Sequence, residues 1–173
     1  MLIAKQSATA SAHSPRFDAV PRERQIRARD IVALASVMKF FGVAAPDINN
    51  LIKLGVSLGA YDLGKDGGWT HRGLAKIARH YHLGATPYDW SLQTSHSAFG
   101  KLEQEVRRGP CLTSIHKDIN ARHSGDLVVV TKITRWYVLY GEPVSRSHHV
   151  IKRRIGFKAF FRYWKRIGVI VKK

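Results

Sequence analysis

Few groups in this chain could make or break a bond. One cysteine, Cys111, stands among nine histidines and twelve carboxylates. A thiol attacks only as thiolate, which needs an imidazole or a helix N-terminus beside it. Cys111 opens the β-rich run CLTSIH, at a position that reads as core. His116 follows five residues later, so strand alternation puts it on the opposite face. A buried, inert thiol is the expectation. His80 and His82 are two apart on an expected helix, and His148 and His149 are adjacent; neither spacing suits two ligands of one metal. His123, in the loop NARHSG, lies three residues before Asp126 and reads as solvated. There is no HExxH, CxxC, Walker loop or dinucleotide fingerprint, so no metal and no cofactor is expected.

Charge is the strongest feature outside such chemistry. The formal net charge is +17 and the pI about 10.5. An excess of this size favours an anionic neighbour: nucleic acid, an anionic surface or an acidic protein. Residues 144 to 173 hold ten Lys or Arg and no acid, including Arg153, Arg154, Lys158, Arg162, Lys165 and Arg166, the candidate anion-binding set. A second group runs through Arg22, Arg24, Arg27 and Arg29. Phe157, Phe160, Phe161 and Trp164 lie between the C-terminal cations at i, i+3, i+4 and i+7. These aromatics could stack on bases, but the spacing also suits a core, which leaves the cations as a solvated face able to hold phosphates without reading sequence.

Helices come first among the elements that must position these groups. Asp30 reads as an N-cap, and Val32, Leu34, Ala35, Met38 and Phe41 form an apolar face that Gly42 ends. Further helices are expected in PDINNLIKLGVSLG after the capping Asp47, in WTHRGLAKIARHYHLG, which Gly84 ends, and in SHSAFGKLEQEVRRG, with Gly109 after it. From Pro110 the character changes. CLTSIH, DLVVVTKIT and WYVLYG are strands, with Arg135 in a hairpin turn between the last two. HHVIKRRI is open between strand and loop, FKAFFRYWKRI returns to helical period, and GVIVKK is a final strand. This order predicts one α+β domain over residues 21–173 with a mainly antiparallel sheet. Residues 1 to about 20, rich in Ala and Ser, read as a mobile tail. No apolar run reaches the length of a transmembrane span or signal peptide, so a cytoplasmic location is the default.

Several strings, taken in order, resemble the papain-fold cysteine peptidases of the bacteriocin-processing type. These are the double-glycine leader peptidases and their stand-alone bacterial relatives, clan CA, family thirty-nine. The strings are MKFFG, GGWTHRGLAKIARHY, RRGPCLTSIHKD, SGDLVVVTKI, YGEPVS and FKAFFRYWKR, over about residues 25 to 173. The resemblance implies a papain-like fold and proteolysis by three groups. A cysteine sits at a helix N-terminus, a histidine on the sheet takes its proton, and a carboxylate orients the histidine. Counted back from Gly42, the cysteine position falls on Arg29. The histidine position falls on Asp126 and the carboxylate position on Glu142. Gln25 stands near the family's oxyanion glutamine, two residues closer than the usual spacing. A guanidinium stays protonated and cannot attack a carbonyl. An aspartate cannot do a histidine's work at neutral pH unless its pKa is strongly raised.

The resemblance therefore implies a pseudoenzyme whose former catalytic corner is an Arg29–Asp126–Glu142 ion cluster. Such a protein would bind a peptide or protein through its cleft and a polyanion through its basic surface. The alternative is an active cysteine peptidase or amide hydrolase with a displaced catalytic set.

Overall fold

The computed structural model describes residues 22–44, 47–62, 68–116, 125–144 and 148–173, with side chains from Ala28 onward. The first helix, α1 (Arg22–Phe40), is followed by α2 (Ile48–Ser57) and α3 (His71–His80). Then come β1 (Gly84–Asp89), α4 (Ser95–Arg108), β2 (Cys111–His116), β3 (Gly125–Ile133), β4 (Tyr137–Val144) and β5 (His149–Gly156). The chain closes with α5 (Phe157–Tyr163) and β6 (Trp164–Lys172). The six strands form one sheet in the order β1-β6-β2-β3-β4-β5, every pair antiparallel. The expected α+β architecture with an antiparallel sheet is borne out.

Strand alternation sorts the sheet residues into two cores. Leu127 and Val129 of β3, with Leu112 of β2 and Val169 and Val171 of β6, pack against α1, α2 and α3. Val128 and Val130, with Cys111, Val138 and Trp164, pack against α4 and α5. Thr70 caps α3 by accepting the Gly73 amide at 2.9 Å, and Thr94 caps α4 by accepting the Ser97 amide at 3.3 Å. Gly42, at φ +82°, ends α1 in the left-handed region that suits glycine. Gly73 is required by contact: a Cβ there would overlap the backbone of Ala60. Two irregularities bend the sheet: Lys165 to Ile167 of β6 stand against the single Ser114 of β2, and Thr131 is the extra residue of a bulge on β3. Among the described residues, no helix is long and apolar enough to cross a membrane.

Three local readings need correction, and one strand stands where the sequence pattern suggests none. Asp30 is not an N-cap: α1 already begins at Arg22. Nothing in RERQIRAR breaks a helix, and its long unbranched side chains favour one. Gly84–Asp89 is a strand, β1, paired along its length with β6. Pro87 hides it, yet Pro is tolerated here because β1 is an edge strand. The helix expected over residues 157–167 stops at Tyr163, and Trp164 begins β6. Trp136 lies in the turn before β4 rather than in the strand. HHVIKRRI resolves as the edge strand β5. The N-terminal tail, His123 and Arg146 lie outside the described residues, as do the side chains of Arg22, Arg24, Gln25 and Arg27.

Candidate functional site

α1 packs on β3 and β4 and carries Arg29 to their ends. Antiparallel register puts Asp126 near the start of β3, opposite Ile115, and Glu142 near the end of β4. Arg29 meets both. Its Nη1 donates to Asp126 Oδ1 at 3.3 Å and its Nη2 lies 3.5 Å from Glu142 Oε1. Its Nε donates to the Pro143 carbonyl at 3.0 Å. Glu142 Oε2 in turn accepts from Arg153 Nε at 3.0 Å. The result is a chain of two cations and two carboxylates, anchored to the backbone at Pro143. The Arg29 and Asp126 side chains are about one-fifth exposed and Glu142 somewhat more.

The three positions picked out in the sequence thus come together, within direct ion-pair range. The cluster consists of guanidinium donors and carboxylate acceptors. No thiol, hydroxyl or imidazole stands among Arg29, Asp126 and Glu142. The backbone adds a further obstacle. Arg29 is the eighth residue of α1, about 10 Å from its start at 1.5 Å per residue. The free amides and positive end of the helix, which lower a thiol's pKa, are therefore two turns away.

Cys111 is 1% exposed, and burial pushes its thiol up to about 12, with the Glu105 carboxylate adding to the shift. Its Sγ contacts the Gly109 carbonyl at 3.7 Å. At neutral pH the group is a thiol and packs as a small apolar side chain. We expect an aromatic disulfide reagent to leave Cys111 untouched in the native protein and to titrate one thiol after denaturation. Rapid labelling of the native chain would contradict the burial.

A polar pair that the sequence pattern did not suggest lies between α3 and β2. His71 Nε2 is 2.9 Å from Ser114 Oγ. Burial holds the His71 pKa below its ordinary value, the Asp89 carboxylate opposes the shift, and the Lys165 ammonium reinforces it. A neutral imidazole beside a hydroxyl has the makings of a base and nucleophile. Here, however, Asp89 accepts from the Ser91 amide at 2.9 Å and reaches His71 only through its charge. Ser114 is buried on the side of β2 that carries Leu112, opposite Leu127. The pair satisfies the buried Ser114 hydroxyl and the half-buried His71 ring. Its only sequence signal is a histidine following the cap Thr70.

The candidate anion-binding residues divide among three elements. Arg153 and Arg154 are exposed on β5, the first paired with Glu142, the second with its guanidinium 4.1 Å over the Tyr137 ring. Lys158 and Arg162 are exposed on α5. Lys165 and Arg166 are half-buried on β6, where Arg166 Nη1 donates to the Gln93 carbonyl at 2.9 Å. The aromatics between them are core: Phe160 and Trp164 are buried, and Phe157 and Phe161 pack around Phe99.

No protein-family model and no curated protein matches the chain. Its fold does match solved structures. The peptidase domain of Streptococcus ComA, a bifunctional ABC transporter involved in quorum sensing, superposes with a TM-score of 0.60. It is 19% identical, over 84% of this chain and 91% of that one. A double-glycine-motif protease from an AMS/PCAT transporter, solved with the leader peptide, gives a TM-score of 0.54. It is 22% identical, over 83% of each chain. The chain therefore has the papain-like α+β fold of these peptidase domains.

Proposed function

We propose that this protein is a non-catalytic relative of the double-glycine peptidases, a binding module that holds a peptide or a polyanion without cutting it. The observation that carries the reading is the Arg29 cluster. A guanidinium bound to Asp126, Glu142 and the Pro143 carbonyl occupies the corner where the resemblance places a thiolate and an imidazolium. The burial of Cys111, the chain's only cysteine, weighs against a displaced cysteine nucleophile. The solved relative described with a leader peptide makes an extended peptide the natural cleft ligand, and the +17 charge suits a polyanion on the outer surface.

The test compares the wild type with the double variant Arg29→Cys/Asp126→His on a peptide containing a Gly-Gly site. The wild type is expected to leave the peptide intact, with hydrolysis confined to the double variant if activity returns at all. Wild-type hydrolysis would overturn the reading in favour of a displaced amide hydrolase. Because α1 starts two turns before position 29, any recovered rate should be low.

A further inference from the structure

We propose that the end of the sheet at the β3–β4 turn binds single-stranded nucleic acid, its bases stacking on Trp136 and its phosphates held by Lys132 and Arg154. The inference rests on the polyanion-binding half of the functional reading and gives it a place and a ligand class.

The bulge on β3 starts the argument. It brings Lys132 opposite Leu139 of β4, and Leu139 stands opposite Arg154 of β5. Antiparallel partners share a face, so both cations lie on one side of the sheet, two strand spacings or about 10 Å apart. Lys152, two residues before Arg154 and exposed, lies on the same side. Between residues 127 and 173 the chain has twelve Lys or Arg and a single acid, Glu142, which is already paired with Arg29 and Arg153. No carboxylate on these strands competes for Lys132 or Arg154.

An exposed ring stands in the turn that joins β3 to β4, four residues after Lys132 and beside Arg135. Trp136 is 68% exposed, whereas Trp69 and Trp164 are buried and Trp90 is half-buried. Its backbone is firmly held. Thr134 Oγ1 accepts from the Trp136 amide at 3.3 Å and the Tyr137 amide at 3.0 Å. The Trp136 carbonyl accepts from the Phe157 amide at 2.9 Å. The Arg135 guanidinium lies 4.6 Å from the indole centroid, which leaves the rest of that exposed ring to solvent. A rigid turn presenting an indole in water gains nothing for the core. An indole beside cations is the combination that binds single strands, because every base has a face to stack and every phosphate needs a cation.

The face continues toward α1. A cavity of about 420 Å³ lies under its last turn, lined by Lys39, Phe40, Val129 and Thr131 among others. Thr131 immediately precedes Lys132, and Phe40 is 65% exposed, a second ring in reach of solvent. Arg107 also lines this cavity.

The experiment is a titration of the full chain with a labelled oligothymidylate of about 20 nucleotides, followed by anisotropy and by indole emission. The wild type should bind, quench its exposed tryptophan and weaken steeply from about 50 to 200 mM salt. Trp136→Ala should weaken binding roughly tenfold and abolish the quench, with Trp136→Phe between the two. Arg154→Ala should lower the slope of log affinity against log salt by about one. Trp136→Ala binding as tightly as the wild type would overturn this site and leave the polyanion reading standing. Heparin binding without oligonucleotide binding would do the same. No binding of either at about 50 mM salt would remove both. Phosphatidylserine vesicles bound in place of the oligonucleotide would make the face a membrane contact and overturn the inference.

Discussion

Thr113→Val should cost about 3 kcal/mol of folding stability, although valine has nearly the same shape. Thr113 is fully buried where β2 meets β6. Its hydroxyl oxygen accepts from the Tyr88 hydroxyl at 2.7 Å and from Trp164 Nε1 at 2.6 Å, and donates to the Ile167 carbonyl at 3.2 Å. Burial raises the Tyr88 pKa above its ordinary value, so that hydroxyl keeps its proton at any working pH. Valine would leave two buried donors and one carbonyl unmet, at about 1–3 kcal/mol for each orphaned group. For a chain of this length the loss corresponds to a melting temperature lower by roughly 6–12 °C. Thr113→Ser keeps the oxygen and should cost about 1 kcal/mol, the loss of one methyl group. Urea unfolding of the two variants checks the difference. A valine variant within about 1 kcal/mol of the wild type would mean that the donors find other partners.

Arg29→Ala is the second large effect, expected at about 2 kcal/mol. The change removes the cation that Asp126 and Glu142 share, while Glu142 keeps Arg153. Breaking a fully buried pair costs about 3–5 kcal/mol. The partial exposure of these side chains lets water and salt screen what remains, which brings the figure down. Arg29→Lys should recover less than half, because an ammonium cannot serve two carboxylates and a carbonyl in three fixed directions. Glu142→Ala should cost less than Asp126→Ala, being the more exposed carboxylate. Denaturation midpoints at low and high salt read all four. Equal stability of Arg29→Ala and wild type would make the cluster a surface coincidence.

These effects bear on what the amino-acid sequence reveals unaided. The layer order was legible because periodicity carries it: Leu127 and Val129 on one face, Val128 and Val130 on the other, and helices whose apolar residues recur at three and four. Boundaries were less legible where two signals compete. Asp30 has the side chain of an N-cap, but capping needs free amides, and the preceding eight residues already supply a helix. Trp164 continues the 157–161 aromatic spacing although it belongs to β6, because it faces the same core as Phe160. Strand β1 was masked by Pro87, which only an edge position excuses.

The site was legible only in part, and for a different reason. Arg29 stands 97 residues before Asp126, Glu142 lies on the next strand, and no local pattern links the three. Counting along the resembling strings identifies them, and the packing of α1 on β3 and β4 brings them together. His71 and Ser114 met with no such guide. The exposed Trp136 was hidden for the opposite reason, since it extends an apolar strand pattern by one residue and only the turn geometry at Thr134 puts it in water.

The central claim is that Arg29 and Asp126 hold each other where the related fold is expected to do chemistry. A double-mutant cycle of Arg29→Ala and Asp126→Ala, read by urea unfolding, tests it directly. The account predicts a coupling of about 1–2 kcal/mol, shrinking in high salt. A coupling within about 0.3 kcal/mol of zero would contradict it.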